Sequence, residues 1–362
     1  MGGFLVSKNI MIQSHKGEYS VSFERGGMNQ LNNQPIEDAI YVIDQNIAKL
    51  YKEKLQNILS SQRILIITAT EENKSLDKFP GYVNELVNLN VRRKQPLIAI
   101  GGGITQDITC FLATTVMRGL PWIFYPTTLL AQSDSCIGSK SSINSGKIKN
   151  ILGTFSPPKS VVIDVDFLKT LDQRELFSGI GEMIKVHAIN SPKSFNLISD
   201  RYEDLFLEPA IMEEFIQNSL SMKKKLIEID EFDQGPRNVM NYGHSFGHAI
   251  ESVTNYQIPH GIAVTIGMDI ANFVAVDLGV SNIDNFERMH NVINKNCETY
   301  RHIDIDVSSL LKALSKDKKN SVDQLRLILP NQDGLINIGL YDNDDKLDRS
   351  LKKYFELYGG RN

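Results

Sequence analysis

Short apolar runs alternate with longer amphipathic segments through the first half of the chain, and this order limits the possible folds more than any other feature. The apolar runs are Ile40–Ile43, Ile64–Ile67, Leu97–Ile100, Ile123–Tyr125 and Val161–Ile163, and the segments between them include Asn46–Leu59, Leu76–Leu89 and Asp107–Met117. Alternation of this kind predicts strand–helix–strand units and a mainly parallel sheet. Apolar and polar residues also alternate over Ile10–Glu24, which predicts an antiparallel hairpin ahead of the sheet.

The pattern changes after about Asp166, where long amphipathic segments dominate. These segments are Arg174–Ala188, Glu208–Ile229, Arg237–Val253, Ile262–Leu278 and Lys346–Leu357. Only Leu325–Leu329 has the composition of a strand. We therefore predict an α/β nucleotide-binding domain with a mainly parallel sheet over residues 1–168, followed by an all-helical domain over residues 169–362.

Charge and composition argue against several classes of function. The 362 residues carry a formal net charge of −4, which gives no support to nucleic-acid binding as the main activity. We find no run of about eighteen apolar residues of the kind that spans a membrane. The three cysteines, Cys110, Cys136 and Cys297, form no CxxC pair, as is usual in a reducing compartment. We expect a cytoplasmic protein that acts on a small molecule.

Three consecutive glycines, Gly101–Gly103, stand where a predicted buried strand ends and a predicted helix begins. Glycine there lets backbone amides approach a phosphate closely, and the helix N-terminus favours its negative charge. A tight strand-to-helix turn also requires glycine, so the loop by itself leaves both interpretations open. The residues match neither GxGxxG nor the GK[ST] ending of a P-loop, which disfavours a conventional dinucleotide fingerprint and a P-loop ATPase.

Polar residues follow several of the same predicted strands. Asp44 ends the first parallel strand, Glu71 and Lys74 come just after the second, and Thr127 and Thr128 follow the fourth. Ligands of open α/β sheets bind at the carboxyl ends of the strands. Each residue alone suits a turn or a helix cap, but together they predict one ligand-binding edge.

Three of the seven histidines, His244, His248 and His260, fall close together in the sequence. If the segment around the first two is helical, their imidazoles project from one face, one turn apart. His260 follows a break in the pattern at Tyr256–Pro259, and the chain can fold back there onto the same face. Histidines grouped in this way predict a metal site.

An ordered series of motifs from about Asp44 to Leu329 resembles 3-dehydroquinate synthase and its relatives, the sugar-phosphate cyclases. The series begins with Glu71-x-x-Lys74, Gly101-Gly-Gly-x-x-x-Asp107, Met117-Arg118-Gly119, Pro126-Thr-Thr, Asp134-Ser-x-Ile-Gly-x-Lys140 and Lys149-Asn150. It continues with Gly181-Glu182-Met-Ile-Lys185, Lys223, Arg237-x-x-x-Asn241, Gly243-His244-Ser-Phe-Gly-His248-Ala-Ile-Glu251, His260-Gly261 and Asp317-Lys318-Lys319. The resemblance implies the two-domain fold above, a homodimer, NAD as a resident redox cofactor, and a divalent metal, most often zinc with cobalt as the alternative.

The same resemblance implies roles for particular residues. Glu182, His244 and His260 would hold the metal, while His248 would stay uncoordinated and act on the substrate. NAD would contact Asp44, Glu71, Lys74, Gly102, Gly103, Asp107, Thr127, Thr128, Lys140, Lys149 and Thr170. The residues expected in catalysis are Lys140, Lys185, Lys223, Arg237, Asn241 and His248. Those expected to bind the substrate are Arg118, Asp134, Asn150 and Lys319, with Lys318 as the alternative to the last.

The reaction implied by the resemblance converts a phosphorylated sugar acid, 3-deoxy-arabino-heptulosonate 7-phosphate, into 3-dehydroquinate and phosphate. This is a step of the shikimate pathway of aromatic amino acid biosynthesis. It joins a transient oxidation by NAD, elimination of phosphate, return of the hydride and an intramolecular aldol closure. An anionic substrate would account for the many lysines and arginines in the motifs, since both bind phosphate and carboxylate.

Related reactions fit much of the same pattern. The inosose-forming branch, which acts on glucose 6-phosphate, and an aminated dehydroquinate analogue stay open, whereas the valiolone-forming branch tends to lose the histidine found here as His248. A glycerol dehydrogenase-like alcohol dehydrogenase shares the architecture, but Glu182, Lys185 and Arg237 favour a cyclase. A non-catalytic paralogue would lose Lys185, His248 and Arg237 first, and all three are present.

Several residues differ from the usual pattern of the family. Ser139, Ser141 and Ser142 replace glycine, threonine and glycine, and Gln106 and Cys110 stand where glycine is usual. Ile262 stands where a glutamate commonly occurs. Loss of a carboxylate near a metal ligand affects the ligand's orientation. These differences bear on the identity of the substrate more than on the type of reaction.

Overall fold

The computed structural model describes residues 9–146, 148–315, 324–342 and 344–359, and they divide into two compact units. Residues up to Leu171 form the first unit together with Ile216–Asp233. Asp172–Phe215 forms the second together with the residues from Gln234 onward. Each unit therefore contains two separate stretches of the chain. The predicted boundary between residues 168 and 169 stays a prediction.

A seven-stranded sheet is the framework of the first unit. In chain order its strands are β1 Asn9–Ile12, β2 Tyr19–Phe23, β3 Ile40–Asp44, β4 Ile64–Ile67, β5 Leu97–Gly101, β6 Trp122–Pro126 and β9 Ser160–Ile163, while β7 Ile143–Ser145 and β8 Ile148–Leu152 form a separate antiparallel hairpin. The order across the sheet is β1-β2-β9-β6-β5-β3-β4. β1 pairs with β2 antiparallel, and the later neighbours pair parallel. The predicted hairpin and mainly parallel sheet are confirmed.

Five helices of the first unit lie between these strands. They are α1 Gly27–Asn33, α2 Gln45–Leu50, α3 Gln56–Leu59, α4 Phe79–Asn88 and α5 Gly103–Thr115. Every residue of β5 is buried, as are the first four residues of β3. Because a strand buried on both faces is a continuous apolar run, both are recognisable in the sequence. The helical pattern over Asn46–Leu59 divides into α2 and α3, with a turn at residues 51–55.

Helices dominate the chain after Leu171, as predicted. They are α6 Gln173–Asn190, α7 Pro192–Asp200, α8 Asp204–Leu207, α9 Pro209–Ile229, α10 His244–Val253, α11 His260–Asp277, α12 Ile283–Cys297, α13 Val307–Ser315 and α14 Asp345–Tyr358. The second unit is not entirely helical, however, because β10 Gln324–Pro330 and β11 Ile336–Asp342 form an antiparallel hairpin. Exposed side chains in β11 explain why no apolar run marks it. Within the described ranges, no helix has the length and apolar character needed to cross a membrane.

Helix α11 is buried along most of its length, and glycines let its neighbours approach closely. A Cβ atom added to Gly181 in α6 would lie 2.3 Å from the carbonyl oxygen of Gly261 in α11. At Gly261 it would lie 1.9 Å from the carbonyl oxygen of Ser178. A Cβ at Gly267 would lie 2.1 Å from the carbonyl oxygen of Gly243, just before α10. Only glycine fits such contacts, so they fix α6 and α10 against α11.

Candidate functional site

The three clustered histidines meet on two helices of the second unit. His244 is the first residue of α10, and His248 lies one turn later on the same face. The chain then passes through Asn255 and Tyr256, whose φ angles of 49° and 60° are left-handed, and enters α11 at His260. One nitrogen from each histidine lies within 4.8 Å of the other two. The structure thus brings together the histidines on which the predicted metal site rests.

Glu182 of α6 adds a carboxylate to this cluster. Its Oε1 lies 3.9 Å from His244 Nε2 and 3.7 Å from His260 Nε2. The side chain is 2% exposed, and Oε1 has no hydrogen-bond partner within the described part of the chain. A buried carboxylate oxygen without a partner is costly. A cation between this oxygen and the two imidazoles would remove that cost.

Hydrogen bonds on the far side of each ring determine which nitrogen can bind an ion. His244 Nδ1 lies 3.2 Å from the carbonyl oxygen of Tyr242, and His260 Nδ1 lies 3.1 Å from Glu251 Oε2. Both oxygens accept, so each Nδ1 donates and each Nε2 of the neutral ring keeps its lone pair. One carboxylate with two such imidazoles is a donor set typical of catalytic zinc, which leaves coordination positions for other ligands.

The two rings differ in their pKa. Burial lowers the pKa of His244 well below its ordinary value, and the nearby charge of Lys185 lowers it further. Burial also acts to lower the pKa of His260, but the hydrogen bond to Glu251 and the charge of Glu182 outweigh it, so that pKa is raised. A neutral imidazole is the form that binds a metal, and His244 is held in that form.

Lys185 places a positive charge beside the cluster. It lies one turn beyond Glu182 on α6 and is hydrogen-bonded to Glu182 Oε2, and both side chains are almost fully buried. Arg237, also buried, and Asn241 lie on a 3₁₀ helix that leads towards α10. The side-chain amide of Asn241 donates to a carbonyl oxygen of the same turn at 3.0 Å.

The carboxyl ends of the parallel strands form one edge of the sheet in the first unit. Chain order reverses between β3 and β5, because β4 lies on one side of β3 while β5, β6 and β9 follow on the other. Open α/β sheets bind ligands at such a reversal. Asp44 ends β3 there, and Gly101–Gly103 joins β5 to α5. Two of the predicted cofactor-binding elements therefore lie at the position that the topology favours.

Packing explains the first two glycines of the loop. A Cβ atom at Gly101 would lie 2.3 Å from Thr105 Oγ1, and one at Gly102 would lie 2.9 Å from Thr128 Cγ2. Gly102 is the N-cap of α5, and glycine has no side chain with which to cap the helix. The first amides of α5 therefore stay open to an anionic ligand. The structural and the phosphate-binding interpretations of the loop are compatible.

Lys74 is the centre of a polar network in the same unit. Its Nζ lies 3.2 Å from Asp107 Oδ2, 3.3 Å from Glu71 Oε1 and 3.0 Å from Asn150 Oδ1. Burial raises the pKa of Asp107, although Lys74 opposes the shift. Burial also acts to raise the pKa of Glu71, but the charge of Lys74 and a hydrogen bond from Asn144 together outweigh it, so that pKa is lowered. Three residues expected to contact NAD and one expected to bind substrate thus share one network.

The other residues expected to contact NAD occupy separate positions. Asp44 caps α2, burial raises its pKa, and Thr170 lies 2.7 Å from a tyrosine hydroxyl. Thr127 and Thr128 follow β6, where the amide of Thr127 donates to β5 at 2.9 Å. Thr128 Oγ1 in turn accepts a hydrogen bond from the amide of Ala131 at 3.3 Å. Lys149 is exposed on β8. Asp44, Thr170, Thr127 and Thr128 thus each have a structural role that would explain them without a ligand.

Two lysines of the first unit are held by carboxylates. The Nζ atom of the buried Lys223, on α9, lies 2.7 Å from Asp134 Oδ1. Both residues are expected in the site. Lys140 pairs with Asp233, which follows α9. Sequence reasoning missed Asp233, because it lies 93 residues from its partner and belongs to no quoted motif.

The other two residues expected to bind substrate are Arg118 and Lys319. Arg118 is exposed, with a left-handed φ of 65°, in the turn after α5. Lys319 and its alternative Lys318 lie outside the described residues.

Four of the residues that depart from the family pattern fit their surroundings. Ser142 donates to Asp107 through its amide at 3.0 Å and its hydroxyl at 2.9 Å. Gln106 donates through Nε2 to the carbonyl oxygen of Ser135 at 2.6 Å. Cys110 and Ile262 are buried. Sequence reasoning missed the contribution of Ser142, because a serine in place of glycine gives no sign of which acid it will bond.

Family models match most of the chain. The model for the N-terminal part of 3-dehydroquinate synthase matches residues 64–178, and the model for its C-terminal part matches residues 179–320. The 3-dehydroquinate synthase of Dehalococcoides mccartyi is 36% identical over 311 residues, covering 83% of this chain and 85% of the relative. That of Prochlorococcus marinus is 31% identical over 363 residues, covering 96% and 99%.

Solved structures share the fold. A 2-deoxy-scyllo-inosose synthase complexed with carbaglucose-6-phosphate, NAD+ and Co2+ has a TM-score of 0.81 at 22% identity, covering 95% of this chain and 99% of that one. The 2-epi-5-epi-valiolone synthase of Streptomyces hygroscopicus, with NAD+ and Zn2+ bound, has a TM-score of 0.81 at 24% identity, covering 94% and 97%. Likeness at this identity concerns the fold alone. Together with the family models and the more similar relatives, the observations show that this chain belongs to the 3-dehydroquinate synthase family.

Proposed function

We propose that the protein converts 3-deoxy-arabino-heptulosonate 7-phosphate into 3-dehydroquinate and phosphate. The observation that carries the proposal is the meeting of Glu182, His244 and His260 next to the buried Lys185. It occurs in a chain 31–36% identical to several enzymes named 3-dehydroquinate synthase. A cation site with an adjacent ammonium group suits a substrate that offers both hydroxyl and anionic groups.

The proposed enzyme works with NAD and a divalent metal. When bound, NAD supplies a hydride acceptor that is regenerated in each turnover, and the metal supplies a Lewis acid for the reacting oxygens. Glu182, His244 and His260 would hold the metal, and this donor set suits Zn2+, with Co2+ as the alternative. The residues proposed to hold NAD are Asp44, Glu71, Lys74, Gly102, Gly103, Asp107, Thr127, Thr128, Lys140, Lys149 and Thr170.

Lysines and arginine are proposed to bind the anionic groups of the substrate. Lys185, Lys223 and Lys140 are each paired with a carboxylate, which orients the ammonium group before a ligand arrives. The planar guanidinium of Arg237 suits a two-point contact with carboxylate or phosphate. The remaining proposed contacts are Arg118, Asp134, Asn150, Asn241 and Lys319.

His248 is proposed to move a proton on the substrate. It shares the face of α10 with His244 but is exposed, whereas His244 is largely buried. An imidazole changes its protonation near neutral pH, and a positioned one typically contributes roughly 10²–10⁴ in rate. Its exposure leaves it accessible to a substrate.

Phosphate release distinguishes the candidate substrates. The purified protein is incubated with NAD, Zn2+ or Co2+, and either 3-deoxy-arabino-heptulosonate 7-phosphate or glucose 6-phosphate. We expect phosphate from the first sugar without accumulation of NADH, since the hydride returns within the turnover. Release from glucose 6-phosphate alone would move the chain to the inosose-forming reaction. Net NADH production from glycerol would indicate a dehydrogenase.

The oligomeric state is a separate proposal. The resemblance implies a homodimer, so light scattering should give a mass of about twice the 40.7 kDa of one chain. A mass equal to one chain at working concentrations would contradict it.

A further inference from the structure

One charged residue of the histidine motif has no role in the proposed function. Glu251 lies on α10, three residues after His248 and seven after His244, so the three share one face of the helix. Its side chain is 13% exposed, and its Oε2 lies 3.1 Å from His260 Nδ1. A glutamate so far from solvent is uncommon unless it is paired.

The two carboxylates near His260 face different nitrogens of its ring. Glu182 Oε1 lies 3.7 Å from Nε2, the nitrogen that also faces the candidate metal position. Glu251 Oε2 lies 3.1 Å from Nδ1. Because Nδ1 must donate to an ionised carboxylate, this bond leaves the lone pair of the neutral ring on Nε2. Glu182 is therefore placed to contact a bound ion, whereas Glu251 is placed to hydrogen-bond the imidazole ring of His260.

His244 provides a comparison within the same site. Its Nδ1 donates to a backbone carbonyl oxygen at 3.2 Å, and its side chain is 14% exposed. The side chain of His260 is 38% exposed. His260 is also the first residue of α11, and it follows a turn that contains two left-handed residues. Packing therefore restrains the His260 ring less than the His244 ring. The hydrogen bond from His260 Nδ1 to Glu251 supplies the restraint that packing does not. An anionic partner at Nδ1 also makes Nε2 a stronger electron-pair donor to a metal. A neutral carbonyl oxygen has a smaller effect of the same kind.

We infer that Glu251 is a positioning residue of the metal site, which orients His260 and strengthens Nε2 as a ligand. The inference rests on the proposed function, because it presupposes that an ion binds at Glu182, His244 and His260. It also bears on Ile262, which is fully buried where a glutamate commonly occurs. In this chain the carboxylate that bonds His260 Nδ1 comes from Glu251, on the preceding helix.

Metal affinity of the full-length protein tests the inference independently of turnover. Glu251→Gln keeps the length and an acceptor oxygen but removes the charge, and Glu251→Ala removes both. Competition with a chromophoric chelator should show Zn2+ affinity about tenfold weaker in the first and up to about a hundredfold weaker in the second. The visible absorption of bound Co2+ should change most in the alanine variant. Glu287→Gln, at an exposed position of α12, is the matched control and should bind like the wild type.

The outcomes separate this inference from the proposed function. Circular dichroism of the metal-free proteins establishes that the variants fold, and the glutamine variant preserves the test if the alanine variant does not. Wild-type Zn2+ affinity in the folded Glu251 variants would overturn the positioning role and leave the proposed function intact. Failure of the wild-type protein itself to bind Zn2+ or Co2+ would instead remove the proposed metal site.

Discussion

At the scale of single residues, the buried pair of Glu182 and Lys185 is better explained by chemistry than by stability. Removing two charges from water costs about as much as a buried ion pair returns, so such a pair adds little to folding. Its geometry is informative, however. One carboxylate oxygen bonds Lys185, while the other faces the Nε2 atoms of His244 and His260. The pair therefore joins the group proposed to bind a cation to the group proposed to bind an anion.

Lys185→Met tests the anion-binding role. The substitution keeps an unbranched side chain, one atom shorter, and removes its charge. We expect phosphate release to slow about a hundredfold or more, since removing one charge-stabilising donor has that order of effect. Calorimetry should show that Zn2+ and NAD still bind. Lys193→Met, at an exposed position of α7, is the control, and unchanged turnover in Lys185→Met would remove the residue from the site.

His187 is a buried histidine that the proposed function does not use. Its Nδ1 lies 2.9 Å from Ser194 Oγ and 3.1 Å from the carbonyl oxygen of Ser194, while its buried Nε2 has no partner in the described chain. A proton on Nε2 would be an unsatisfied buried donor. Burial accordingly lowers the pKa of His187 to about 4.

This lowered pKa predicts a loss of stability in acid. The unfolded chain takes up the proton near the ordinary value of 6.5, before the folded chain does. The contribution of neutral His187 is therefore complete above pH 6.5 and is lost as pH falls towards 4, by up to about 3 kcal/mol. In denaturant titrations, His187→Gln should flatten this decline in unfolding free energy. His302→Gln, at an exposed position, is the control, and identical pH profiles in the His187 variant and the wild type would contradict the prediction.

At the scale of elements, glycine contacts set the position of the candidate ligands. Glu182 follows Gly181 directly, and His260 precedes Gly261 directly, so the close contact of α6 with α11 lies next to both ligands. An added Cβ at either glycine would overlap backbone atoms of the other helix. The spacing between these two helices, and with it the distance between the ligands, depends on the absence of those side chains.

Gly261→Ala tests this dependence. The added methyl group would push α6 away from α11, so we expect unfolding free energy to fall by about 1–3 kcal/mol and Zn2+ affinity to weaken. Calorimetry and chelator competition measure the two effects. The control is Gly81→Ala on α4, where a Cβ would meet nothing within 4 Å and a small gain in helix propensity is expected. Equal Zn2+ affinity in the Gly261 variant would show that this contact does not position the ligands.

The sequence predicts some elements well for a clear physical reason. Five of the parallel strands, β3, β4, β5, β6 and β9, are each located within one residue at either end. The clearest are β3 and β5, because a strand buried on both faces is a continuous apolar run. The hairpin β7–β8 is not predicted. Every residue of β8 is exposed, so no burial pattern marks it in the sequence.

The candidate site could be predicted only in part. The four-residue spacing of His244 and His248 indicates a shared helix face, which depends on local geometry alone. The role expected for Glu182 comes from the family resemblance, because it lies far from the histidines in sequence. The pairing of Lys140 with Asp233 and of His260 with Glu251 depends on how the chain folds back, which no spacing shows.

At the scale of the whole molecule, the chain leaves the first unit and later returns to it. The returning segment is Ile216–Asp233. Within it, Lys223 pairs with Asp134, and Glu231 accepts hydrogen bonds from Ser14 Oγ at 2.6 Å and from the amide of His15 at 2.7 Å. The order of motifs along the chain does not show this return, because a sequence pattern groups residues that are neighbours in sequence.

A fragment that ends at residue 171 should therefore be unstable. It lacks Lys223 and Glu231, and it leaves Asp134 without its paired cation. Breaking a buried charge pair typically costs about 3–5 kcal/mol, a large share of the stability of a domain. We expect no cooperative thermal transition in fragment 1–171 and a restored one in fragment 1–233, as measured by calorimetry. A cooperative transition in the shorter fragment would show that the returning segment is dispensable.

The returning segment also has a consequence during protein synthesis. A ribosome must add the 62 residues from 172 to 233 after Leu171 before the first unit has all of its residues. At about 5–20 residues per second this takes roughly 3–12 seconds. For that time the nascent sheet is complete in its strands but lacks the segment that neutralises Asp134. Translation speed over this stretch, and the chaperones that meet the emerging chain, should therefore influence the yield of native protein.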